Sequence, residues 1–206
     1  MSDPLADTPG SWPVVDAVDL HRDGWVVALR RDRIRPPRRD QEPDDEASFA
    51  RLVVEHPGAA MALALDERDG VEQVCLIRQY RHPGGGTFVE IPAGICDVPG
   101  EDPVETAKRE LREEVSLEAS EWEHLITTYP SVGISSEVHH LYLARGLRDV
   151  ETDYVAEHEE AHLEVFWAPF EELLAAVVEG RVQEGPVAIA VLVYAVTRGY
   201  RLGSRS

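Results

Sequence analysis

Gly94-Ile95-Cys96-Asp97-Val98-Pro99-Gly100-Glu101-Asp102-Pro103-Val104-Glu105-Thr106-Ala107-Lys108-Arg109-Glu110-Leu111-Arg112-Glu113-Glu114 is the most informative segment of this 206-residue chain. Its second half predicts a helix from Pro103 to about Val115. Asp102 suits the cap and Pro103 the first helical position, and Glu105 completes a capping box. On a helical projection Val104, Ala107, Leu111 and Val115 form one narrow apolar stripe that must face a core. Glu110 and Glu114 stack one turn apart along the edge of that stripe. Two half-buried like charges at this spacing repel each other, and a hard divalent cation shared between them removes the conflict. Arg109 stands four residues before Glu113 and can hold that carboxylate by an ion pair. The alternative is an ordinary solvated face, which most such charge runs are.

The segment resembles the Nudix box, G-x5-E-x7-R-E-U-x-E-E-x-G-U with U aliphatic. Gly94, Glu101, Arg109, Glu110, Leu111, Glu113, Glu114 and Leu117 supply eight of its nine specified positions. Six residues rather than five separate Gly94 from Glu101, and Ser116 replaces the last glycine. The extra residue falls in a loop. Ser116 is a less comfortable helix stop than glycine but does not touch the metal-binding positions.

Outward from the box the resemblance continues. Arg78-Gln79-Tyr80-Arg81 followed by Glu90-Ile91-Pro92-Ala93-Gly94 is similar to the pattern of ADP-ribose pyrophosphatases within that family. The resemblance implies that Arg81 contacts a substrate phosphate, as a guanidinium fork is suited to do. It implies Glu90 and Gly133 as further substrate-binding residues. The metal set it implies is Glu110, Glu113, Glu114 and the Ala93 carbonyl, with Mg²⁺, or Mn²⁺, as the cofactor. The loop Pro130-Ser131-Val132-Gly133-Ile134-Ser135-Ser136-Glu137 also resembles the subfamily's, but Val132 stands where proline is usual. In Glu157-His158-Glu159-Glu160-Ala161-His162 the resemblance implies a glutamate that acts as general base or completes the metal site, Glu159 first and Glu160 second. Glu159, Glu113 and Arg109 are thus the expected catalytic group.

The rest of the chain alternates strand-like and helical segments. Strands are expected at Trp25–Arg35, Phe49–His56, Ala59–Leu65, Val74–Tyr80, Thr87–Ile91, Trp122–Thr127, Val138–Ala144 and Leu163–Trp167. A turn is expected at His82–Gly86, loops at Pro36–Glu46 and Ala93–Gly100, and closing helices at Phe170–Glu179 and Pro186–Thr197. This order is α/β with mixed sheets. The resemblance implies a Nudix α/β/α sandwich over residues 58–206, preceded by a lead-in at 1–12 read as disordered. An N-terminal β subdomain at 13–57 would pack across a homodimer.

Composition limits the partners. Twenty basic residues against 39 acidic ones give a formal charge of −19, which repels nucleic-acid backbones and anionic membranes. Residues 22–39 hold seven arginines against two aspartates, read as a solvated strand face or a contact for a partner or phosphate. Cys75 and Cys96 form no CxxC pair and read as reduced core residues. The longest apolar run, Val187–Val196, is too short to span a bilayer. A cytoplasmic, nucleotide-sugar-hydrolysing enzyme is the expectation, acting on ADP-ribose, with another sugar nucleotide or NADH as the alternative substrate. Two rival readings are a nucleotide-sensing Nudix domain without catalysis and a zinc protease. The latter rests on the H-E-x-x-H match at His158–His162, which needs a stable helix and a third ligand.

Overall fold

A computed structural model of the chain describes residues 4–24, 26–37, 48–155 and 160–200. The chain folds as two compact units, residues 1–56 with 131–136, and residues 57–130 with 137–206.

The first unit is an antiparallel three-stranded sheet, β1 (Val14–His21), β2 (Ala28–Ile34) and β3 (Phe49–Glu55), in the order β1-β2-β3. The Trp25–Arg35 expectation is met from Ala28; Trp25 and most of the Pro36–Glu46 segment lie outside the described residues. Strand β1 went unread in the sequence because every one of its residues is exposed, so no buried face imposes an alternating pattern. Two arginines of the cluster are ion-paired within this unit: Arg22 meets Asp19 at 2.8 Å and Glu55 at 3.0 Å, and Arg30 meets Asp32 and Glu55 at 2.6 Å each. Residues 131–136 join this unit rather than the second. The Val54 amide donates to the Ile134 carbonyl at 2.7 Å and the Ser136 amide to Val54 at 3.0 Å.

The second unit is an α/β sandwich. Its seven-stranded sheet comprises β4 (Ala59–Arg68), β5 (Val71–Arg81), β6 (Gly86–Glu90), β7 (Ala93–Ile95), β8 (Leu117–Thr128), β9 (His139–Asp149) and β10 (Glu164–Pro169). The main path runs β10-β5-β4-β9-β8, with β6 on β5 and β7 on β4. Strand β4 is the hinge of the mixed topology. Its first half pairs in parallel with β9 and antiparallel with β7, and its second half pairs antiparallel with β5. The expected loop at Ala93–Gly100 is therefore corrected at its start: Ala93–Ile95 is a short strand, fixed by pairing to Ala59–Met61. Strand β8 begins five residues before the expected Trp122.

Alternation along β4 separates two cores. Met61, Leu63 and Leu65 join a cluster with α2 (Phe170–Val178) and α3 (Gly185–Arg198). Ala60, Ala62 and Ala64 face the other way, onto α1 (Pro103–Val115), where Ala107 and Leu111 are fully buried. Small residues on that side let the helix backbone approach the sheet. Cys75 is buried in this layer, and Cys96, contrary to the core expectation, is only half-buried; both thiols are free.

Candidate active site

Helix α1 starts as expected, with one difference. The Asp102 carboxylate accepts from the Val104 amide at 3.1 Å, but Glu105 pairs with Lys108 at 2.7 Å instead of closing the capping box. At the other end Ser116 sits at φ +55°, the left-handed region that favours glycine. That is the conformation the missing box glycine would have adopted freely. Ser116 is held there by its amide donating to Arg112 at 3.1 Å and its carbonyl accepting from Val150 at 3.0 Å.

The apolar stripe anchors α1 so that its edge acids lie against β7. Oε2 of Glu114 accepts a hydrogen bond from the Ala93 amide at 2.9 Å. Glu110 lies directly over Gly94: a Cβ built on that glycine would fall 2.0 Å from Oε1 and 2.3 Å from Cγ of Glu110. Only a residue without a side chain leaves that notch open while Glu110 keeps its place. Gly94 and Glu110 are thus one feature.

Arg109 behaves differently from the simple expectation. Its shortest contact is Nη1 to Glu110 at 2.6 Å, while the i,i+4 partner Glu113 lies at 3.6 Å. Nη2 is buried, makes no hydrogen bond among the described residues, and has only longer ion pairs to Asp97 at 3.8 Å and Glu101 at 3.9 Å. Glu101 itself is fixed by the buried Thr106 hydroxyl, which donates to it at 2.7 Å. One guanidinium therefore stands among four carboxylates, those of Asp97, Glu101, Glu110 and Glu113.

Beside this lies a second charged group. Arg81, at the end of β5, grips the buried Glu90 of β6 from one side, with Nε at 3.0 Å and Nη2 at 2.7 Å. Its Nη1 makes no hydrogen bond to any described residue, so part of the guanidinium is left for a ligand. The hydrogen bonds to Glu90, and after them the fields of Glu90, Glu114 and Glu184, hold Arg81 firmly protonated. Glu184 went unnoticed in the sequence. It caps α3, accepting from the Val187 amide at 2.8 Å, and burial together with nearby Glu90 pushes its pKa up to about 7. The signal available was only the helix-start pattern Glu184-Gly185-Pro186.

The structure brings together Arg81, Glu90, Ala93, Arg109, Glu110, Glu113 and Glu114. Gly133 lies on an exposed loop of the first unit. Glu159 and His158 lie outside the described residues, and Glu160–His162 forms a single 3-10 turn ahead of β10.

The donors fit a hard divalent cation: they are carboxylate oxygens, half-buried, with Glu110 seated in the Gly94 notch. Among the described residues no three acidic, histidine or cysteine side chains already converge as a metal cage. Glu110 is engaged by Arg109 and Glu114 by the Ala93 amide.

Residues 55–186 match the model of the NUDIX domain. This chain belongs to the Nudix family. It is 40% identical over 187 residues to an ADP-ribose pyrophosphatase of Mycobacterium tuberculosis, covering 90% of this chain and 84% of that protein. It is 33% identical over 168 residues to a methanol dehydrogenase activator of Bacillus methanolicus, covering 82% and 84%. A crystal structure of an ADP compounds hydrolase superimposes with a TM-score of 0.70 at 16% identity, covering 94% of this chain and 99% of that one, which supports the Nudix fold. The chain is accordingly a Nudix hydrolase, similar to ADP-ribose pyrophosphatases. No described helix is long and apolar enough to cross a membrane.

Proposed function

We propose that this Nudix hydrolase cleaves ADP-ribose to AMP and ribose 5-phosphate. Water adds to one phosphorus of the diphosphate, the bond from that phosphorus to the bridging oxygen breaks, and the other phosphate leaves as a monoester carrying that oxygen. One proton of the water passes to the general base and on to solvent, and the other ionises from the newly formed monoester. The observation that carries this reading is the joint seating of Glu110 over Gly94 and Glu114 on the Ala93 amide, with Arg81 electrostatically coupled to Glu114.

Glu110, Glu113, Glu114 and the Ala93 carbonyl would hold Mg²⁺, with Mn²⁺ as the alternative ion. The cation supplies Lewis-acid charge to the diphosphate. Arg109 orients Glu110 and Glu113, with Nη1 at 2.6 Å from the first and 3.6 Å from the second. Arg81, its plane fixed by Glu90, offers its remaining N–H groups to a phosphate oxygen. Glu159 takes the proton of the attacking water, and Gly133 lets the substrate approach the backbone of its loop. Residues 13–57 form the dimerising subdomain of a cytoplasmic homodimer; the exposed Val14, Val15, Val18 and Leu20 of β1 support such packing. Another sugar nucleotide or NADH stays the alternative, because Val132 departs from the ADP-ribose pattern.

The test is a ranking of kcat/KM for ADP-ribose, other sugar nucleotides, dinucleoside polyphosphates and NADH with Mg²⁺, with AMP identified chromatographically. ADP-ribose is expected among the best substrates. Glu114→Gln is expected to lower its turnover by roughly 10²–10³-fold. An ADP-ribose rate far below that of the other compounds overturns the substrate, and an unimpaired Glu114→Gln overturns the site.

A further inference from the structure

On the face of the large sheet that carries α2 and α3, a cleft of about 630 Å³ is lined by Arg145, Tyr194, Arg198, Gly199 and Tyr200. Alternation puts Arg145 on that face: Leu143 and Leu141, two and four residues before it on β9, belong to the core shared with α2 and α3. The box acids ride on α1, which packs against the other face. Arg198 is the last residue of α3, and Gly199, at φ +75°, turns the chain so that the Tyr200 amide donates back to Ala195 at 2.9 Å. That return seats the Tyr200 ring against Phe170, with centroids 4.9 Å apart, and its hydroxyl on Glu72 at 2.6 Å. Glu72 also accepts from the Tyr194 hydroxyl at 2.9 Å and from Nη2 of Arg145, which donates to the Tyr194 oxygen as well.

Donors and acceptors among these side chains do not balance. Each tyrosine has one hydroxyl hydrogen, and both are spent on Glu72. The guanidiniums are spent only in part. Arg145 bonds through Nη2 alone, and Arg198 through Nη2 alone, to Glu123 at 2.5 Å. Nε and Nη1 of both make no hydrogen bond to any described residue. Each guanidinium carbon stands 5.7 Å from the centre of the Tyr194 ring. What the cleft still offers is N–H groups on two cations, which calls for a ligand made of acceptors and carrying negative charge. We propose that the cleft is an anion site separate from the box and binds a phosphate monoester, its two negative charges matched by Arg145 and Arg198. The volume leaves room for the organic group on the phosphate. Three features oppose binding. Glu72 stands behind Arg145, but two phenol hydrogen bonds absorb part of its charge. The carbonyl end of α3 carries only about half a negative charge. The Arg198–Glu123 pair must open, but both side chains are about half exposed, and such pairs contribute little.

The test is calorimetric titration of the full chain at low ionic strength with EDTA, so that no divalent cation holds phosphate at the box. AMP, ribose 5-phosphate and inorganic phosphate are titrated separately, which tells a nucleotide, a sugar phosphate and the bare anion apart. Inorganic phosphate, which fills little of the cleft, is expected to bind more weakly than the better of the two esters. Arg198→Gln removes one cation from a half-exposed position and is expected to weaken that ester about tenfold. Glu123→Gln releases Arg198 from its competitor and is expected to tighten binding about two- to fivefold. Both changes should shrink as salt is added. The opposite signs separate ligand binding from a merely structural ion pair, whose two partners would act in the same direction. The titration needs no turnover, so it stands or falls apart from the ADP-ribose assignment. The proposal is overturned if neither ester binds, if inorganic phosphate binds as tightly as the better ester, if Arg198→Gln binds as the wild type does, or if Glu123→Gln does not tighten binding.

Discussion

The two faces of the large sheet are made by the same strands, yet one carries the site and the other carries most of the bulk. Under α1 the sheet presents the small residues Ala60, Ala62, Ala64, Cys75 and Ala144, with Ile77, Leu117 and Tyr142 among them. Under α2 and α3 it presents Met61, Leu63, Leu65, Leu76, Leu141 and Leu143, with Phe170 edge-on to Tyr194 at 4.9 Å. Large residues maximise buried apolar area on the second face. Small residues on the first lower the helix until its edge carboxylates reach a backbone amide and the notch at Gly94. Stability and chemistry are therefore distributed to opposite sides, and substitutions should separate them.

Phe170→Ala is the severest test of that division. The ring is fully buried and contacts both Tyr194 and Tyr200, with centroids at 4.9 Å in each case. Its removal is expected to cost about 3–5 kcal/mol of stability, measured by urea unfolding. The kcat of the protein that stays folded should change little. A large kcat loss at intact stability would show that the two faces are not separable.

Gly94→Ala should invert the pattern. The added methyl takes the space of the Glu110 carboxylate, and a flexible glutamate yields more readily than the β7–β4 pairing. The expected result is about a 10²-fold fall in kcat with a stability loss of only about 1 kcal/mol. Proportionate losses in both would mean that Gly94 serves the backbone and not Glu110.

How much of this was legible beforehand follows from the same physics. Helix α1 was readable to the residue because its cap, its apolar stripe and its acids are all local signals. The short strand β7 was not, because three residues containing a glycine have no periodicity of their own and become a strand only by pairing with β4. Strand β1 lacks a buried face to pattern it. The family resemblance named Arg81 and Glu90 separately as substrate-binding residues, but their mutual bidentate contact was not readable, because the residue opposite Glu90 on β5 is Ile77 and not Arg81. Glu184 was not singled out in the sequence because its cap on α3 is announced only by the pattern Glu184-Gly185-Pro186.

The smallest expected effect concerns that same residue and acts on stability through pH. The Glu184 carboxyl has an ordinary value of 4.5 and is raised to about 7 in the fold, by burial first and Glu90 second, with Arg81 and the Val187 amide opposing. The folded state then binds a proton that the unfolded chain has already released between those two values. Its contribution to stability is fully present below about 4.5 and is lost as pH rises through about 7. Other carboxylates act in the opposite sense: Glu72 and Asp19 are both held below their ordinary range, Glu72 by Tyr200, Arg145 and Tyr194 overriding its burial, and Asp19 by Arg22. The raw pH profile therefore mixes signs, and the informative quantity is the difference between the wild type and Glu184→Gln. Relative to the variant, the wild type should lose on the order of 2 kcal/mol between pH 5 and pH 8, read from urea midpoints at each pH. A difference that stays flat across that range would mean that Glu184 keeps an ordinary carboxyl pKa in the fold.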